Sequence, residues 1–122
     1  MQMLYQDITE KILACCFEVS NELGSGFLES VYEKALLIVL KEKGLNSENQ
    51  VPINVIFRGE LIGEFFSDIL VENKVIIEIK SVNQLKNEHQ AQLIHYLKAT
   101  GIKVGLLVNF GKPKLEYRRL YN

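Results

Sequence analysis

Apolar positions along the chain switch between helical and strand spacing, and the switches mark its elements. Over residues 7–23, Ile8, Ile12, Cys15, Cys16, Val19 and Leu23 fall near one helical face, with Glu10, Lys11, Glu18 and Glu22 elsewhere. Gly24-Ser25-Gly26 interrupts this pattern; the first glycine suits a helix C-terminus and the second frees the next start. A second helical stretch over 28–43 carries Val31, Tyr32, Ala35, Leu36, Val39 and Leu40, and Gly44 stands where it should end. The pattern then becomes strand-like. Residues 51–57 are rich in β-branched and aromatic side chains, with Pro52 tolerable near a strand start or on an edge. Arg58-Gly59-Glu60 turns the chain, 61–70 returns, Glu72-Asn73-Lys74 turns it again and 75–80 forms a third strand, an antiparallel meander. Helical spacing resumes over 86–100, with Leu93, Ile94 and Leu97 on one side and Gly101 as the stop. An apolar strand over 103–110 follows, suggesting a right-handed crossover onto the sheet. Gly111-Lys-Pro113 turns the chain into a last edge strand over 115–121. The predicted order is α-α-β-β-β-α-β-β, an α/β (α+β) domain with a mixed sheet flanked by helices.

The second turn sharpens one part of this picture. A three-residue loop pairs Val71 with Val75, which sets Asp68 directly opposite Glu78, about 5 Å apart on one face. Asn73 or Lys74 is expected in the left-handed conformation. On the third strand Glu78 and Lys80 share one face while Ile77 and Ile79 share the other. Two carboxylates and an ammonium among apolar strands are costly to bury unless something uses them. A cation between the opposed acids removes their repulsion, and protonation of one acid is the metal-free alternative. On the third helix, Gln92 and Tyr96 are four apart and therefore neighbours. Glu29 by itself suits a first-turn acid favoured by the helix dipole, and Tyr32 a core residue with its hydroxyl satisfied. His89 and His95 are six apart, point in different directions and make no metal pair.

Bulk properties narrow the class. The 122 residues suffice for a single domain spanning 1–122, and 48% apolar with 24% charged residues argues against disorder. No run approaches the roughly 20 apolar residues that cross a bilayer, and no basic-then-apolar leader pattern opens the chain, so a cytoplasmic location is expected. Cys15 and Cys16 are adjacent with no third cysteine, which suits small helix residues better than a disulfide or a metal site. The net charge of −1 conceals an asymmetry: residues 1–73 hold five basic against twelve acidic side chains, residues 74–122 nine against three. Such a distribution is compatible with a basic surface facing a polyanion.

Several of these stretches together resemble a known group. Gly26-x-x-Glu29-x-x-Tyr32 matches the signature of the GxxExxY proteins, within the PD-(D/E)xK nuclease-like superfamily. The likeness continues through the Gln50-Val-Pro run, Asp68 followed by Glu78-Ile-Lys80, the Ala91-Gln92 to Gly101 helix, and Gly105-Leu-Leu-Val-Asn109-Phe. It implies a restriction-endonuclease-like core. It also implies that Asp68 and Glu78 bind a metal, that Lys80 is the active-site lysine, and that Glu29 completes the site. Gln92 and Tyr96 resemble the Q-x-x-x-Y element of RecB-like members. Ser67 stands where many members have proline before the aspartate.

The chemistry expected of such residues is Mg2+- or Mn2+-dependent phosphodiester hydrolysis of DNA or RNA. Asp68, Glu78, the Ile79 carbonyl and Glu29 supply oxygen ligands. Lys80 stabilises negative charge and orients water, with Gln92 and Tyr96 in support. Lys86, Lys98, Lys112, Lys114, Arg118 and Arg119 are candidate phosphate contacts. The competing expectation is a non-catalytic module of nuclease fold acting through a protein partner; a weaker one is hydrolysis of a small phosphorylated molecule. A homodimer is compatible with the small size of the domain.

Overall fold

The structure, a computed structural model, describes residues 3–122. Its elements are α1 (Gln6–Leu23), α2 (Glu29–Glu42), β1 (Ser47–Phe57), β2 (Glu60–Val71), β3 (Val75–Lys80), α3 (Asn87–Thr100), β4 (Val104–Asn109) and β5 (Glu116–Tyr121). The order is the one the hydrophobic pattern predicts. β1 starts earlier than expected because Ser47, Glu48 and Asn49, though polar, pair with Val71, Leu70 and Ile69 through backbone bonds that hydropathy does not reveal. No helix among the described residues is long and apolar enough to cross a membrane.

The strands form one sheet in the order β1-β2-β3-β4-β5. β3 and β4, joined through α3, run parallel, and every other neighbouring pair is antiparallel. α1 and α2 cover one face, where Ile12, Cys16, Leu36 and Leu40 pack on Ile69, Val75, Ile77, Ile79, Leu106 and Val108. α3 covers the other, where Leu93, Tyr96 and Leu97 pack on Ile76 and Leu107. Cys15 and Cys16 are both buried and unbridged, as small core residues.

The β2–β3 register is as predicted, with Val71 opposite Val75, Leu70 opposite Ile76 and Ile69 opposite Ile77. In the turn, Asn73 takes a positive φ of 54°, but its left-handed companion is Glu72 at 53° rather than Lys74. Positive φ at both central positions gives the twist that a tight hairpin needs. Glu72 is held there through its own N–H to the Asn46 carbonyl (2.8 Å) and through its carboxylate, which accepts from Asn46 Nδ2 (3.1 Å).

One row of the sheet is broken. The β1–β2 ladder pairs Asn49 with Ile69 and Val51 with Ser67 but skips Gln50 and Asp68 between them, and Gln50 has a φ of 52°. Across this break the facing of the strands inverts. Ile69 and Val71 lie in the core under α1 and α2, whereas Ile53, paired with Phe65, lies in the core under α3. In a regular strand residues 65 and 69 would share a face. The irregularity therefore re-aims the hairpin, as bulges do, and swings its outer part over α3, where the Phe65 ring lies 5.8 Å from that of Tyr96.

Candidate functional site

The broken row is also where the acids sit. The β2–β3 ladder stops at Ile69/Ile77, and in the next row side chains replace backbone partners. The Asp68 N–H donates to Glu78 Oε1 (3.1 Å), and the Ile79 N–H donates to Asp68 Oδ2 (2.7 Å). Each carboxylate thus bonds the opposite strand, which holds the pair side by side without a bond between them. Asp68 Oδ1 and Glu78 Oε2 take no part in these bonds. The Lys80 carbonyl accepts from the Phe110 N–H on the β4 side (2.8 Å), so the preceding carbonyl, that of Ile79, faces Asp68.

Glu78 is only 4% exposed. Burial, and then the Asp68 charge, push its carboxyl up to about 8, against weaker opposition from the Asp68 N–H and Lys80. Glu29 adds a small upward push. Asp68 is raised too, again mainly by burial, with the Ile79 N–H, Lys80 and Gln50 counteracting. Both shifts favour the protonated form of the pair when no cation is present, which is how two close like charges are ordinarily accommodated.

Lys80, on the same face of β3 as Glu78, donates from Nζ to Gln92 Oε1 (3.1 Å). Gln92 Nε2 in turn donates to the Tyr96 hydroxyl (3.1 Å), so the expected Lys80, Gln92 and Tyr96 form one chain from β3 to α3. The segment after Lys80 is clamped by the fully buried Asn109. Its Oδ1 accepts from the Val82 N–H (3.0 Å) and its Nδ2 donates to the Val82 carbonyl (3.0 Å) and to Glu116 (3.1 Å). Gly111 belongs to the same clamp, since a Cβ there would collide with the Val82 backbone. The hydrogen bonds from Asn109 and Leu85 hold the Glu116 carboxyl below its usual range.

Tyr32 is core, as its local sequence suggests, and also structural support for the site. It is fully buried, stacks on Phe110 at 4.6 Å, donates from its hydroxyl to the Gly24 carbonyl (2.6 Å) and accepts from the Phe27 N–H (3.2 Å). Ser81 Oγ donates to the Phe27 carbonyl (2.7 Å), which ties this turn to the end of β3. Glu29, the first residue of α2, opens from that turn into a cleft shared with Ser81, Val82, Asn83 and Gly111. It is in electrostatic reach of Glu78. Yet among the described residues no three Asp, Glu, His or Cys side chains converge as a metal-holding group, so Glu29 stands off from the Asp68–Glu78 pair.

Two neighbours were not expected at the site. Gln50 Nε2 donates to Glu33 Oε1 (2.8 Å), and Glu33 is raised by burial and, more weakly, by the Asp68 charge. Glu33 follows Glu29 by four residues, one helical turn on, so helical spacing could have flagged it. Gln50 stands in the Gln50-Val-Pro run of the family likeness, but its spacing marks no role, because its importance lies in a backbone break.

The six candidate phosphate contacts are dispersed. Lys86 caps α3 and Lys98 stands in its last turn. Lys112 and Arg118 lie 3.9 and 3.7 Å from Glu116 Oε2, and Lys114 is exposed between β4 and β5. Arg119 faces away from the site: it donates to Thr9 Oγ1 on α1 (3.0 Å), because consecutive strand residues point to opposite faces. His89 Nδ1 accepts from the Lys86 N–H (2.9 Å) as a helix-start contact, and His95 is exposed.

The family model of the PD-(D/E)XK nuclease superfamily matches residues 6–120. Among solved structures, the crystal structure of SSO0001 is similar in fold, with a TM-score of 0.61 and 22% identity over 76% of this chain. The match covers 49% of that chain, so the present chain spans about half its length. No curated protein matches significantly.

Proposed function

Because this chain belongs to the PD-(D/E)XK nuclease superfamily, we propose that it hydrolyses phosphodiester bonds of nucleic acid with the help of a divalent metal held at Asp68 and Glu78. The observation that carries this reading is the acid pair at the broken row, Glu78 buried and Asp68 half-buried, with Lys80 on the same face of β3. The donor set fits Mg2+ or Mn2+: Asp68 and Glu78 each keep one carboxylate oxygen outside the cross-strand bonds, these and the Ile79 carbonyl are hard oxygen donors, and a cation would offset the charge repulsion that raises Glu78. When bound, such an ion supplies Lewis acidity at a phosphate oxygen and makes a bound water more acidic.

The chain's own residues position the rest. Lys80 brings its ammonium to the face that carries the acids, and Gln92 fixes its direction through a bond that Tyr96 steadies. Two of the three ammonium hydrogens remain for a phosphate oxygen or an attacking water. The Asn109–Val82 clamp and the Tyr32-pinned turn hold the two ends of this arrangement, which favours a pre-set site over one assembled on binding.

The test is cleavage of labelled single-stranded, duplex and branched nucleic acids in Mg2+ or Mn2+. Lys80→Ala should lower the rate about 10²–10³-fold, the scale of losing one preorganised charge-stabilising group. Asp68→Asn should abolish both cutting and calorimetrically measured metal binding. A clean wild-type protein that cuts none of these substrates overturns the proposal.

A further inference from the structure

On the α3 face lies a groove that Gln92 and Tyr96 border but do not fill. Its volume is about 610 Å3, within the range of small-ligand sites. Val55, Phe65, Ala91 and Ala99 line it with apolar surface, and Gln92 and Tyr96 form one wall. Those last two side chains are the ones that lead to Lys80, so the wall of the groove is hydrogen-bonded to the proposed reaction site.

Beyond the unpaired Gln50–Asp68 row the outer hairpin lies over α3, with the Phe65 ring 5.8 Å from Tyr96 at a tilt of 41°. Phe65 nevertheless stays 45% exposed, so its ring is only partly used in packing. Lys98, in the last turn of α3, adds a cation to the lining, with the His95 imidazole between it and the Glu88 carboxylate of the first turn at the other end. An apolar slot with an open aromatic ring and a cation, its wall bonded to a site for phosphodiester chemistry, matches the parts of one nucleotide: a flat base and its phosphate. Bases inside a duplex are stacked and present only their edges, so a base can enter such a groove only when unpaired.

We propose, resting on the nuclease reading above, that this groove receives an unpaired nucleobase of the substrate strand, stacked on Phe65 with Lys98 at its phosphate. The substrate class is then nucleic acid with single-stranded character at the point of cutting. A second copy of this chain inserting an apolar side chain is the rival occupant. It would make no use of Lys98 or of the hydrogen-bonded link to Lys80.

Fluorescence anisotropy tests this with labelled oligonucleotides, single-stranded and as a blunt duplex, with Ca2+ replacing Mg2+ to limit cutting. Wild type should prefer the single strand. Phe65→Ala should weaken that binding about tenfold and Phe65→Trp should restore it, with duplex binding and metal titration unchanged. Phe65→Leu, which keeps apolar bulk but removes the stacking face, should bind nearly as weakly as Phe65→Ala. Equal affinity of Phe65→Leu and wild type overturns the inference. So does a shift of the wild type from dimer to monomer by sedimentation on Phe65→Ala, which assigns the groove to a second copy. Wild type that cuts nucleic acid with no dependence on Phe65 sinks this inference alone. Wild type that neither binds nor cuts any nucleic acid sinks the nuclease reading, and this inference with it.

Discussion

The two faces of the sheet use the same short strand in different ways. Under α1 and α2, Val75, Ile77 and Ile79 join a continuous apolar core with residues of both helices and of β4. Under α3, Ile76 joins a smaller core, and the next two residues on that face are Glu78 and Lys80. One face is closed by packing. The other is closed at one end and left polar at the other, where the Glu78 carboxylate accepts from the Asp68 N–H and the Lys80 ammonium donates to the Gln92 amide. A strand separates such roles cheaply, because a step of one residue changes face without changing the backbone.

The largest break in that comparison should come from the packed face. Ile77→Ala removes fully buried side-chain atoms and should cost about 2–5 kcal/mol in urea unfolding. An equivalent loss from Lys80→Ala would mean that the α3 face is also structural at that position.

The next effect concerns pH and has the opposite sign from an ordinary surface acid. In chelator-treated protein the native state keeps the Glu78 proton up to about 8, while the unfolded chain releases it near the ordinary value of 4.5. The native state therefore binds more protons between those values, and stability should fall as pH rises through that window. The raised Asp68 carboxyl acts in the same direction. The charged groups that act on Glu78 are Asp68 from β2, Lys80 from β3 and Glu29 from α2, and Glu78 in turn raises the Tyr96 hydroxyl of α3. Thermal melts of Glu78→Gln should lose most of this slope. An unchanged slope would show that Glu78 is not the group responsible.

The smallest effect sharpens the link between the faces. Tyr32→Phe keeps the ring stacked on Phe110 but removes the hydroxyl that bridges Gly24 and Phe27, and should cost about 1 kcal/mol. If the Tyr32-pinned turn also orients Glu29, the same variant should weaken metal binding measurably while Phe110 stays packed. Metal binding equal to wild type would limit Tyr32 to stability.

Much of this arrangement is legible along the chain. Helical and strand periods mark all eight elements, and the turn at residues 72–74 predicts a register that puts Asp68 beside Glu78. Gln92 and Tyr96 are paired by helical spacing alone. The less legible features depend on distant partners. Asn109 reaches Val82, Arg119 turns to Thr9, and Gln50 meets Glu33, each across a long stretch of sequence. Arg119 shows the limit plainly: its charge made it a phosphate candidate, but strand alternation and packing against α1 take it to the far face. Glu29 shows a softer one, since its motif placed it near the acids while the backbone of the preceding turn sets how near.

What the sequence alone determined was the set of local choices: element order, the β2–β3 register, and which of Ile77, Glu78, Ile79 and Lys80 share a face. These follow from backbone periods of 3.6 and 2 and from turn chemistry, which act over a few residues. Only the tertiary structure decided that two strands skip one row at Gln50 and Asp68. That skip frees the acids from regular pairing and folds Phe65 over α3. A break of this kind is settled by the competition between backbone pairing, side-chain bonds to Ile79 and Asp68, and the packing of a whole hairpin, and those energies exist only once the distant parts meet.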